Sequence, residues 1–154
     1  RQPQCAVCPV NKMCEAHSQD RPADFPVKSR KLKRSSEVLW MLLAKRSDGA
    51  VFLTQRPATG VWAGLYCLPS FGNLDDLRGL VPKRLRSALI EGATFKHVLT
   101  HKDMHIHPLY LNLPAKAQLI EHMRPGQSLG RWVEANEWPK LGLPAPVRNL
   151  LLVA

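Results

Sequence analysis

Two stretches of this chain hold residue types and spacings that could do chemistry. The first is Thr94–Leu111, T-F-K-H-V-L-T-H-K-D-M-H-I-H-P-L-Y-L, which contains His97, His101, His105 and His107, Thr100, and the cations Lys96 and Lys102. The second is C-A-V-C-P-V-N-K-M-C, which sets Cys5, Cys8 and Cys14 at the spacing C-x2-C-x5-C. Thiolates are soft ligands, and close spacing lets one loop wrap an iron–sulfur cluster or a zinc ion. Three thiolates are one short of a closed four-thiolate site, so His17 or a cysteine preceding Arg1 would supply the fourth. Free thiols in a disordered tail are the plainer alternative, and the crowding of three cysteines into ten residues speaks against it. The histidines leave three readings open. His101, His105 and His107 could bind zinc, or all four could be core or surface residues without a special role. The third reading is a polar recognition loop at a strand junction, with Thr100 and His101 as donors and acceptors. Only Asp103 is placed to complete a catalytic site, and the spacing matches no hydrolase signature.

Other routes to catalysis are poorly supported. Ser70 lies in L-P-S-F-G and not in a G-x-S-x-G elbow. Cys67 stands alone in an apolar segment, where a thiol is usually inert. A G-x-x-x-x-G-K-[ST] phosphate loop is absent, and Asp75 and Asp76 adjoin at a helix start, where capping explains them. The net charge of +10 favours a polyanionic partner, nucleic acid above all, although simple solubility charge is the alternative. Residues 1–34 carry eight Lys/Arg against three Asp/Glu, so the short N-terminal part holds half of the excess. Clustered rather than spread cysteines indicate metal ligands in a reducing compartment and not a secreted disulfide scaffold.

The elements that must position these residues follow from pattern. With 154 residues there is room for one domain with a real core plus a short appendage. The chain starts at an arginine with no apolar signal segment, which reads as a fragment or processed product. No run of 18 apolar residues occurs, so no membrane-spanning helix is expected. Residues 15–36 lack apolar periodicity and contain the run K-S-R-K-L-K-R, the mark of an extended basic linker. From Glu37 a nearly continuous apolar strand leads through a turn at Asp48-Gly49 into a second strand, and the first should be central in its sheet. Leu65–Pro69 predicts a short strand ended by the proline. Asn73 predicts the cap of a helix from Leu74, which Pro82 breaks before a second helical piece K-R-L-R-S-A-L-I. T-F-K-H-V-L and H-I-H-P-L-Y-L-N-L predict strands joined by the polar connection T-H-K-D-M. A loop or irregular turn over 115–128, a short strand R-W-V, and a closing helix with Pro144 near its first turn complete an α+β fold. Its mixed sheet is flanked by about two helices.

Four segments, in order and spacing, resemble the C-terminal third of the MutY-type adenine DNA glycosylases. Cys5, Cys8 and Cys14 match the last three ligands of that family's C-x6-C-x2-C-x5-C loop. Leu53–Phe71, L-T-Q-R-P-A-T-G-V-W-A-G-L-Y-C-L-P-S-F, looks like its Q-R-P-x-x-G-L-W-x-G-L segment. His97–His101, H-V-L-T-H, stands at its H-x-F-S-H, and G-L-P-A-P-V-R-N-L-L resembles its closing helix. The resemblance implies a division into the end of a cluster loop (residues 1–17), a basic interdomain linker (18–36) and a Nudix-like, MutT-like domain (37–154). It implies that the family's catalytic domain precedes Arg1, so this chain would have no catalytic residue and would be inactive alone. As cofactor it implies a 4Fe–4S cluster in a longer protein, and as partners that same protein's catalytic domain and double-stranded DNA with 8-oxoguanine opposite adenine. Localisation would be with bacterial DNA in the cytoplasm, or nuclear in a eukaryote. His97 and His101 match the family's histidines, while Leu99 replaces a phenylalanine and Thr100 a serine. Threonine keeps a hydroxyl that can reach the N7–H or O8 of the lesion, and leucine gives up aromatic stacking. The resemblance therefore assigns 8-oxoguanine binding to His97, Leu99, Thr100 and His101. Two alternatives stand beside it: an active Nudix-type pyrophosphohydrolase, and a metal-linked interaction module. The first needs a G-x5-E-x7-R-E-x2-E-E box to cage magnesium, and no glutamate occurs between Gly60 and Leu89.

Overall fold

A computed structural model describes residues 3–27, 33–117 and 130–153. The chain divides into two compact units, Arg1–Lys33 and Arg34–Ala154. In the first unit, single 3-10 turns at Cys5–Val7, Asn11–Met13 and Pro22–Asp24 surround one turn of helix, α1 (Glu15–Ser18). None of these turns buries a residue. Most of the basic run, residues 28–32, lies outside the described residues, as does the greater part of the expected 115–128 loop.

The second unit is built on one strand. β1 (Ser35–Arg46) turns at Asp48-Gly49 into β2 (Val51–Gln55). Gly49 takes φ +86°, its N–H donates to the Arg46 carbonyl at 2.9 Å, and the Asp48 carboxylate accepts the Ala50 N–H at 3.1 Å. Only glycine adopts that φ without strain, so the D-G pair fixes the hairpin. β3 (Tyr66–Cys67) and β4 (Ser70–Phe71) flank Pro69, whose carbonyl accepts the Leu42 N–H at 3.0 Å. The proline thus interrupts the strand without ending the pairing. α2 (Leu74–Leu80) starts at Asn73, whose side chain accepts the Asp76 N–H at 2.8 Å. After Pro82 the expected second helical piece is a 3-10 run, Lys83–Ala88. β5 (Ile90–Glu91), β6 (Phe95–Val98), β7 (Lys102–Leu113), β8 (Arg131–Val133) and α3 (Ala145–Val153) follow.

The sheet runs β3-β2-β1-β7-β5, with β4 on β1, β6 on β7 and β8 on β2. β1 and β7 pair in parallel at twelve successive positions, from Ser35 with Lys102 to Arg46 with Leu113. β1 is central, as its two-sided apolar pattern requires. Leu39, Met41 and Leu43 point to one face, where Met104, Ile106, Leu53 and Val147, Leu150 and Leu151 of α3 complete a core. Leu42 and Ala44 point to the other, with Phe52, Leu109, Leu111 and Leu77 of α2. Burying each large apolar side chain stabilises by roughly 1.5–3 kcal/mol, so the two cores together hold the sheet between α2 and α3. No helix among the described residues is long and apolar enough to cross a membrane.

Candidate functional site

Because successive strand residues point to opposite faces, the four histidines separate. On β7, Met104 and Ile106 enter the α3 core, so His105 and His107 look to the α2 face. His107 stacks on Trp40, its register neighbour on β1, with ring centroids 4.4 Å apart. Its Nδ1 lies 3.0 Å from the Thr94 hydroxyl. His97 pairs with Met104 and therefore faces the α3 side, where its ring lies 5.8 Å from that of Trp62. His101 is exposed between the strands. No group of three His, Cys, Asp or Glu able to hold a metal ion forms among the described residues. The zinc reading of His101, His105 and His107 is thus replaced by packing for His107 and by separation for the others.

The expected T-H-K-D-M connection is shorter than its polarity suggested. Lys102 and Asp103 are already strand, leaving Leu99, Thr100 and His101 as the loop. Their charges are met in place: Lys102 Nζ lies 2.5 Å from the Glu37 carboxylate and Lys96 Nζ 2.6 Å from that of Asp103. Asp103 also pairs with Arg34. Hydrogen bonds from Lys96 and then Arg34 hold the Asp103 carboxyl below its ordinary value of 3.8. Polarity therefore marked a strand edge rich in ion pairs, not a longer loop.

The loop's own hydrogen bonds are lopsided. The Leu99 N–H donates to the Lys102 carbonyl at 2.8 Å. The Leu99 carbonyl accepts from Arg34 Nη2 at 3.0 Å, the Thr100 carbonyl from Arg34 Nη1 at 3.4 Å, and the His101 carbonyl from the Ser35 N–H at 3.1 Å. All three carbonyls are taken, whereas the N–H groups of Thr100 and His101 and both side chains have no hydrogen-bond partner among the described residues. Thr100 and His101 are exposed; Leu99 is half-buried and packs on the α3 core. Trp62 packs on the same core and holds φ +59°, a strained value for a bulky residue, between Gly60 and Gly64. The resemblance gave Trp62 no role; its signal in the sequence was the pair of flanking glycines.

The remaining candidates lie elsewhere. Cys5, Cys8 and Cys14 are half-buried free thiols in the first unit, Cys5 opening one 3-10 turn and Cys8 and Cys14 each closing one, and they form no metal-holding group among the described residues. Cys67 is fully buried, and burial pushes its thiol above the ordinary 9.0. Asp75 and Asp76 sit at the capped start of α2, and no group of three His, Cys, Asp or Glu able to hold a metal ion forms around them among the described residues. A cavity of about 270 Å³ lined by Lys45, Arg46, Gly49 and Asn112 lies at the opposite end of β1 and β7 from the loop, about 35 Å along the strands.

Among known protein families, residues 40–152 match the model of the NUDIX domain. The chain belongs to the NUDIX domain family. It is also similar, at 25% identity over 97% of its length, to the adenine DNA glycosylase of Buchnera aphidicola subsp. Acyrthosiphon pisum, of which it covers 42%. It thus spans less than half the length of the curated relatives that it matches. In structure it resembles the C-terminal domain of mouse MUTYH, solved in complex with human PCNA. The TM-score is 0.56 at 17% identity, over 75% of this chain and 84% of that one. The NUDIX domain of Shewanella oneidensis NrtR, solved with ADP ribose, gives 0.58 at 13% identity over 87% and 94%. These likenesses establish the Nudix fold expected from the sequence.

Proposed function

We propose that this chain is the lesion-recognition part of an adenine DNA glycosylase, reading 8-oxoguanine opposite adenine in double-stranded DNA. The observation that carries the reading is the loop Leu99–His101, whose carbonyls are consumed while the N–H groups of Thr100 and His101 have no partner among the described residues. 8-Oxoguanine differs from guanine by an N7–H donor and an O8 acceptor. N–H groups at positions 100 and 101 without a partner among the described residues suit O8, and the exposed Thr100 hydroxyl is an acceptor that suits N7–H. A good polar contact to a base edge is worth roughly 1–3 kcal/mol, about five- to 150-fold in discrimination. Binding of the chain to duplexes carrying 8-oxoguanine:A or G:A should show that preference, and Thr100→Ala should erase it. An unchanged ratio in Thr100→Ala would remove Thr100 from the site.

Glycosidic-bond cleavage would belong to a catalytic domain elsewhere in a longer protein, which flips the adenine out of the helix. The similarity to adenine DNA glycosylases over 97% of this chain supports that setting. Cys5, Cys8 and Cys14 would supply three thiolates to a 4Fe–4S cluster whose fourth ligand is not among them. Iron–sulfur absorption bands in anaerobically reconstituted longer protein that includes a fourth ligand, absent from this chain alone and lost on substituting any one of the three, would establish this; a colourless longer protein would refute it.

A further inference from the structure

We propose that Arg34 and Asp103 are positioning residues that set the shape of the Leu99–His101 loop, a role resting on that loop as the element that reads the lesion. Arg34 is the residue just before β1, yet its guanidinium reaches across to residues 65 and more positions away in the chain. Its planar fork spans the Leu99 and Thr100 carbonyls and, through Nη2, the Asp103 carboxylate. The next residue, Ser35, takes the His101 carbonyl through its backbone. Residues 34 and 35 therefore claim every acceptor of the loop backbone. This leaves the N–H groups and side chains of Thr100 and His101 without a partner among the described residues.

Asp103 explains why the guanidinium stays there. The carboxylate is only 22% exposed and bridges Arg34 and Lys96, so one anion ties the guanidinium to the β6–β7 edge. A carboxylate at this place would repel a DNA phosphate, which argues for a structural use. Arg34 itself has three acceptors on its two terminal nitrogens, so both hydrogens of Nη2 and one of Nη1 are committed to the loop and to Asp103. Lysine at 34 would keep the charge but is a point donor on a flexible stem, unable to hold two carbonyls and a carboxylate in one plane.

The test uses the full chain with Arg34→Lys, Arg34→Ala and Asp103→Asn. Amide hydrogen exchange at Leu99 and Ser35 is compared with that at Leu42, whose N–H bonds Pro69 in the core. We expect at least tenfold faster exchange at Leu99 and Ser35 in all three variants and no change at Leu42. Unchanged exchange at the two loop amides would overturn the proposal. Duplex binding separates positioning from charge. Positioning predicts at least a fivefold loss of preference for 8-oxoguanine in both Arg34 variants, with the salt dependence unaltered. A phosphate contact predicts that Arg34→Ala lowers the slope of log affinity against log salt by about 0.9 and that Arg34→Lys restores it, and that pattern would also overturn the proposal. Should the unsubstituted chain show no lesion preference, the reading of the loop fails, while exchange at Leu99 and Ser35 still decides whether Arg34 and Asp103 hold it.

Discussion

Thr100 and Cys67 show how differently single residues of one sheet are used. Thr100 is exposed with its hydroxyl unpartnered among the described residues, so Thr100→Ala should alter thermal stability by no more than about 0.5 kcal/mol. A larger loss in calorimetry would make it a folding residue and undercut its place in recognition. Cys67 is the reverse case. Buried and packed among apolar side chains, it should resist thiol reagents until the chain unfolds, whereas Cys5, Cys8 and Cys14 in the metal-free protein react in the native state. Four thiols titrating quickly in native buffer would contradict that. Burial raises the folded thiol above its ordinary 9.0, so the neutral form is favoured in the fold. Its contribution is complete below pH 9 and is lost as pH rises through the raised value, so denaturation midpoints should fall between pH 9 and 11 less in Cys67→Ala than in the parent. Residue types alone mark the candidate chemistry, since His97–His101 and the cysteine spacing are visible in the sequence. They did not tell which histidines were structural. His107 is engaged by Trp40, 67 residues away in the chain, and by Thr94, and only the register reveals those partners.

At the scale of elements, local signals proved sufficient where the chemistry was local. The Asp48-Gly49 turn and the Asn73 cap were both legible because each is completed within four residues. Asn73→Ala should cost about 1 kcal/mol, read as a lower melting temperature, and a neutral effect would show that α2 is held by Leu77 alone. Where distant contacts decide, the pattern misled. Lys102 and Asp103 looked like loop and are strand, because Glu37, Arg34 and Lys96 neutralise them. Gly130 illustrates a constraint no pattern shows. A Cβ there would stand 2.2 Å from the ring of buried Phe52 and 3.1 Å from the Leu53 carbonyl. The backbone beside β8 therefore passes where only glycine fits, and Gly130→Ala should destabilise by roughly 1–3 kcal/mol, measured by urea denaturation. A variant as stable as the parent would mean that Phe52 can swing away.

For the whole molecule, the charge of +10 makes an electrostatic prediction. Duplex affinity of the chain should fall on the order of tenfold between 50 and 200 mM salt, the equivalent of about two phosphate contacts. Salt-independent binding would point to base contacts alone. The Nudix fold and its two cores could be read in advance because apolar periodicity records them directly. The partition of the sheet's faces could not, since it depends on a parallel pairing between segments offset by 67 residues (Ser35 with Lys102, Arg46 with Leu113). That pairing also imposes an order in time. Such long-range parallel contacts are slow to form, because the intervening chain must be closed before they reward it. During synthesis Arg34 and Ser35 emerge well before the carbonyls that they hold, so a growing chain has no shaped loop until β7 has been made and docked. A nascent or truncated chain that stops short of Lys102 therefore has no shaped loop to present, and the lesion reading proposed for it would arrive only with the last strand laid against β1.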